Sequence, residues 1–175
     1  VYSELANKIA QKMADTLIAK INACGTVSTT TCPGVAKITA SSATLGLIAQ
    51  AEAFLSDQAR NPVVIVSKAG KAEFKAAAYA NGYAADPFEG FRVRYNNTLP
   101  AYDTANAGAV YMIVGDINHG SLANFPNGEG IELKYDDKTL MTSDLVRILG
   151  RRFAAIGVVA DKSFTLVAKA GETSE

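Results

Sequence analysis

Histidine and cysteine are scarce: among 175 residues there is one histidine, His119, and two cysteines, Cys24 and Cys32. Structural zinc wants four ligands, and the histidine is remote in sequence from both thiols, so the two cysteines make a poor zinc site. The cysteines bracket "CGTVSTTTC". A disulfide could close this short loop, but two reduced, partly buried thiols are the expectation in a cytosolic protein. Excess charge of either sign is also lacking. Seventeen basic residues cancel seventeen acidic ones, so no global field draws nucleic acid or an acidic membrane surface, although a local basic patch stays open. No uncharged run reaches the ~20 apolar residues of a membrane span. Neither a secretory leader nor an internal repeat, low-complexity tract or linker is visible. The chain opens with VYSELANK and no initiator methionine, which points to a fragment or a processed product.

The composition favours a packed interior. Hydrophobic residues make up 49% and charged residues 19%, the reverse of the balance that keeps chains disordered. The length suits one domain, or two small lobes sharing a core. Leu5, Ile9, Met13, Leu17 and Ile21 recur every fourth residue, which predicts a long amphipathic helix over 4–23. Lys12, Asp15 and Lys20 fall on its wet side, and Gly25 supplies the stop. A Thr/Ser-rich loop with at most a short strand follows, then a helix over 43–58 carrying Leu47, Ile48, Ala51, Phe54 and Leu55 on one face. "NPVVIVS" is a β-branched run of the kind that forms a strand buried on both faces. Helix returns over 68–80 and ends through Gly82. Beyond it "FRVRY", "AVYMIVGD", "GIELKYD" and "SFTLVA" read as strands, and "DLVRILGRRFAAIGVV" as one long bent strand.

Candidate chemistry is sparse. "VSKAGKA" runs from strand to helix, but a phosphate loop needs glycine where Ile65 stands and a hydroxyl where Ala72 stands; Ser67 reads instead as a helix N-cap. Asp116, His119 and Ser121 share the stretch "GDINHGSLANF", which invites a hydrolase reading. A triad normally converges from distant positions, and Asp and Asn at a strand end bond their own backbone. Turn chemistry is therefore the expectation, with Leu122 and Phe125 dipping back to the core. The pair Asp136-Asp137 reads as a polar turn. No cofactor motif emerges. The long polar loop "RYNNTLPAYDTANAGAV" and the set Arg147, Arg151 and Arg152 are the better candidates for contact surfaces.

The order of these parts, above all "NPVVIVSKAGKAEF", "GFRVRYNNTLP" with "VYMIVGD", and the arginine-bearing close "GVVADKSFTLV", resembles the major capsid proteins of tailed bacteriophages. The resemblance covers nearly the whole chain. It implies an α+β HK97-type fold: a peripheral domain from 1–31 and 136–175, built on a spine helix, and an axial domain over 32–135. It implies a structural role without catalysis or cofactor. Copies of the chain would assemble as pentamers and hexamers into an icosahedral shell, in the bacterial host cytoplasm and then the virion. Packaged double-stranded DNA would be met only non-specifically, and no membrane is involved. Tyr95, Asn96, Asn97, Tyr102 and Asp103 would be axial-loop contacts, and Arg147, Arg151 and Arg152 peripheral ones. The family's N-terminal arm and extended hairpin do not precede the spine helix here, which fits an assembly-defective core. The competing readings are a small α/β hydrolase using Ser121, His119 and Asp116, and another virion component such as a tail or decoration protein.

Overall fold

A computed structural model describes residues 2–25, 34–44, 46–82, 88, 90–128, 130–136 and 147–171. Cys32, Asp137 and the start of the closing segment at 142–146 lie outside them. The first helix, α1 (Tyr2–Cys24), is one unbroken rod of 23 residues. The Glu4–Lys8 ion pair on its surface, 3.2 Å long, is too exposed to add much. Only its C-terminal half is buried, through Ile18, Ile21 and Cys24, while Leu5, Ile9 and Met13 are half-covered.

Among the described residues thirteen elements follow one another: α1, β1 (Ala36–Ala40), α2 (Gly46–Ala53), β2 (Val63–Val66), α3 (Lys68–Ala80), β3 (Arg92–Tyr95), β4 (Val110–Gly115), α4 (Ile117–Gly120), β5 (Ser121–Asn124), β6 (Glu132–Asp136), β7 (Arg147–Arg151), β8 (Ala155–Val158) and β9 (Phe164–Lys169). Helix α3 has the expected ends. Ser67 Oγ accepts a hydrogen bond from the Gly70 amide at 3.0 Å, and Gly82 turns the chain away at φ +77°, a conformation costly to other residues.

Five strands form one mixed sheet in the order β1-β9-β4-β2-β3. The outer pairs, β1 with β9 and β2 with β3, are parallel; the inner pairs are antiparallel. Both faces are covered. Val64, Met112, Val114 and Val167 point to the layer of α2 and α3, with Phe74, Phe88 and Tyr111. Ile65, Ile113 and Leu166 point to the other face and meet Ile18 and Ile21 of α1. Burial on both sides is why these strands read as continuous apolar runs. Each fully buried Val, Leu or Ile contributes roughly 1.5–3 kcal/mol, so the sheet and its two helical layers are the stable centre. The closing strand β9 lies inside this sheet, between β1 and β4, in the company of the middle segment's strands.

The remaining strands form two ribbons, β5–β8 and β6–β7, both antiparallel. They replace the expected long bent strand, because 147–151 and 155–158 take different partners. Gly150 lies against α1: a Cβ there would stand 2.8 Å from Leu5 Cδ2, so the ribbon approaches the helix closely. Two further expectations fail. Helix α2 stops at Ala53, because the Ser56 amide bonds to the Lys162 carbonyl at 2.7 Å; Phe54 is left 53% exposed. Leu122, expected in the core, is 59% exposed on β5.

Candidate assembly surfaces

The stretch from Gly115 to Ser121 folds as a strand end, a helical turn and a new strand. Asp116, 4% exposed, caps the turn. Its carboxylate accepts from the backbone amides of Asn118 (3.0 Å), His119 (3.3 Å) and Asn61 (3.0 Å). Ser121 Oγ donates to the Ile117 carbonyl at 2.7 Å. Asp116 therefore holds the backbone of His119 rather than orienting its imidazole. A groove of about 910 Å³ opens beside the turn, walled by Arg60, Arg92, Arg94 and Asp116 but by neither His119 nor Ser121. Acid, imidazole and hydroxyl do not converge on one point where a substrate atom could sit. Gly120 and Gly115 let the turn press on Ser163 and Phe164; a Cβ on Gly115 would stand 2.9 Å from Phe164 Cα.

The polar loop that follows β3 is held by contacts from elsewhere. Asn96 donates from its side-chain amide to Asp15 of α1 at 2.8 Å, and its carbonyl oxygen accepts from the Thr98 amide at 2.8 Å. Asp15, expected to face water, instead ties the spine helix to the loop. Glu73 of α3 grips the loop's middle: its two carboxylate oxygens accept the amides of Tyr102 (2.7 Å) and Asp103 (3.2 Å). The Tyr102 hydroxyl donates to the Ser41 carbonyl, and its ring meets Tyr111 edge-on at 5.3 Å, with Lys169 Nζ 4.9 Å over its face. Leu99, Ala101 and Ala105 are buried anchors. Of the loop residues singled out from sequence, Asn96 and Tyr102 thus serve mainly inside the subunit. Tyr95, hydrogen-bonded to Lys71 Nζ at 2.8 Å, stands on β3 and is 49% exposed. Asn97 and Asp103 are the exposed pair. Sequence reasoning missed Glu73 and Asp15, since partners 29 to 81 residues apart leave no local signal.

The arginines divide similarly. Arg147 and Arg151 are exposed at opposite ends of β7. Arg152 follows the strand and stacks its guanidinium 4.2 Å over the Phe125 ring, a cation–π contact that holds the β5 and β7 segments together.

No protein-family model matches the sequence, and no curated protein sequence matches it. Solved structures do. The capsid of an empty GTA particle, computed with C5 symmetry, superposes with a TM-score of 0.59 at 16% identity, over 97% of this chain and 66% of that one. The capsid of the native GTA particle gives 0.56 at 15% identity over the same shares. The holo-SrpI encapsulin complex from Synechococcus elongatus PCC 7942 gives 0.53 at 11%, over 80% of this chain and 54% of that one. The chain has the HK97-type capsid fold. It spans just under two thirds of the length of the capsid chains it matches. The α+β architecture expected from the sequence is the architecture found.

Proposed function

We propose that the chain is a shell-forming subunit, the major capsid protein of a tailed phage or prophage, and that it acts by position rather than turnover. The observation that supports this reading is the match in fold of nearly the whole chain to GTA capsids, at 15–16% identity. The turn chemistry of Asp116, His119 and Ser121 supports a non-catalytic role, and tells against the hydrolase alternative. In this reading α1 with the ribbons β5–β8 and β6–β7 is the peripheral unit, and the five-stranded sheet with its loop over 96–109 is the axial unit, meeting its copies near symmetry axes. The division expected from the sequence, 1–31 with 136–175 against 32–135, shifts in this reading: β5 and β6 go with the peripheral unit and β9 with the axial sheet. Tyr95, Asn97 and Asp103 would contact neighbouring copies axially, and Arg147 and Arg151 peripherally. Asn96, Tyr102 and Arg152 would shape those surfaces from within. Many identical copies then close a shell through repeated heterologous contacts. Double-stranded DNA would lie inside without sequence-specific contacts, and the assembled protein would reside in the virion after assembly in the host cytoplasm. The zero net charge fits a wall that does not bind its genome tightly.

Electron microscopy of the purified full gene product tests this. Closed particles that protect DNA from nuclease are the expected result. A charge reversal at exposed Arg151 should reduce particle yield several-fold while leaving subunit stability within about 0.5 kcal/mol, as for surface positions generally. Only monomers or open tubes from the wild type would overturn the shell reading. The encapsulin match supports a second reading, an encapsulin-type shell, which particles free of protected DNA would favour.

A further inference from the structure

The loop over 96–109 has 14 positions with no regular secondary structure, and it is held from outside at several points. At its two ends the Asn96 amide donates to the Val66 carbonyl and the Gly108 amide to the Lys169 carbonyl. Between them the Tyr102 hydroxyl donates to the Ser41 carbonyl, and two carboxylates grip the stretch. A loop of that kind, exposed and polar, would ordinarily sample many conformers, and ordering it at an interface would cost affinity. Two carboxylates add to the hold in advance of any docking. Asp15 takes the Asn96 side chain at 2.8 Å. Glu73 takes two successive backbone amides, Tyr102 and Asp103, one on each oxygen. Charge-assisted bonds of this type are roughly twice as strong as neutral ones. A two-point grip on consecutive amides also fixes direction, because the peptide plane between them cannot rotate without breaking a bond. Glu73 sits on α3, whose Phe74 is fully buried in the core, so the grip is anchored to the rigid centre of the molecule.

We propose that Glu73 is an assembly-positioning residue: it presets the loop so that exposed Asn97 and Asp103 present a ready-formed polar surface to a second copy of this chain. The proposal rests on the shell reading, and it adds that the loop contact is preformed rather than moulded on docking. Loop residues share in the hold, through the Tyr102 hydroxyl and the buried Leu99, Ala101 and Ala105, but the grip on the 102–103 backbone comes from a helix 29 residues away.

The test uses the full gene product carrying Glu73→Ala and Glu73→Gln, with amide hydrogen exchange on the free subunit and particle yield on assembly. In Glu73→Ala the Tyr102 and Asp103 amides should exchange at least about tenfold faster, with the β4 and β9 amides unchanged, as expected for a local opening. Particle yield should fall about tenfold or the size distribution should broaden. Glu73→Gln keeps one carbonyl oxygen to accept one amide, and should lie between Glu73→Ala and wild type in both measurements. Should Glu73→Ala fold poorly, Glu73→Gln alone decides, since wild-type exchange and yield in that variant would overturn the proposal. Unchanged exchange at Tyr102 and Asp103 in either variant overturns it, whatever happens on assembly. Faster exchange with wild-type particles also overturns it, and leaves the shell reading intact. A wild type that forms no particles sinks both.

Discussion

Tyr111 shows how one residue can be well packed and still carry a fault. Its side chain is fully buried, stacked on Phe74 at 6.4 Å and met edge-on by Tyr102. Its hydroxyl is buried with no hydrogen-bond partner among the described residues. An unpaired buried hydroxyl has lost its water and gained nothing. Tyr111→Phe should therefore be neutral or stabilising at pH 7, within roughly 1 kcal/mol by denaturant titration, whereas an aromatic in the same cluster cut to alanine should cost about 3–5 kcal/mol. The same burial, helped by the neighbouring Tyr102 and by Glu73, pushes the phenol pKa from 10.0 up to about 12. Below 10 the phenol is protonated in both states and this stability is intact. Between 10 and about 12 the unfolded chain ionises while the folded one does not, so stability falls as pH rises through that window. Melting curves at stepped alkaline pH should show this fall in the wild type and a smaller one in Tyr111→Phe. A parallel decline in both would mean that the phenol is not the group responsible.

Among elements, those whose determinants are local were legible in the sequence. Helix α3 needed only Ser67 at one end and Gly82 at the other, and the buried strands β2, β4 and β9 announced themselves as β-branched runs. Elements whose ends are set by distant partners were not. Helix α2 loses its last residues because the Ser56 amide is taken by Lys162, and the 147–158 segment breaks because its halves pair with β6 and β5. The β4–α4–β5 turn was half legible: Asp116 reads as a turn residue, but its hold on the Asn61 amide, 55 residues back, does not. That hold sets the relative worth of the two residues that look catalytic. Asp116→Ala would orphan three backbone amides around a nearly buried site and should cost about 2–3 kcal/mol. His119→Ala removes no bond from this turn and should cost less than about 0.5 kcal/mol. Urea denaturation of both variants checks this, and a larger loss at His119 than at Asp116 would mean that the turn is not organised by its cap.

At the scale of the whole molecule, two kinds of structure share one chain. The five-stranded sheet is clad on both faces, and Met112, Ile113, Leu166 and Val167 are fully buried. The ribbons β5–β8 and β6–β7 have two strands each and leave Leu122, Tyr135 and Leu149 between 46% and 67% exposed. Two-stranded sheets are marginal by themselves, so the ribbons depend on α1, whose N-terminal half they only partly cover. Sequence patterns could not reveal this asymmetry, because "GIELKYD" alternates as cleanly as a strand in a large sheet would. The consequence is a gradient of stability within the free subunit. Amides of β4 and β9 should exchange only through global unfolding, and those of β5 to β8 at least about a hundredfold faster through local opening. If the ribbons are peripheral contacts of a shell, their exchange should slow towards that of the sheet once particles form, while β4 and β9 change little. Hydrogen exchange read by mass spectrometry on free subunits and on particles measures both. Ribbons as slow as β9 in the free subunit would refute the gradient. Ribbons still fast in the particle would place the peripheral contacts elsewhere, on the exposed side of α1.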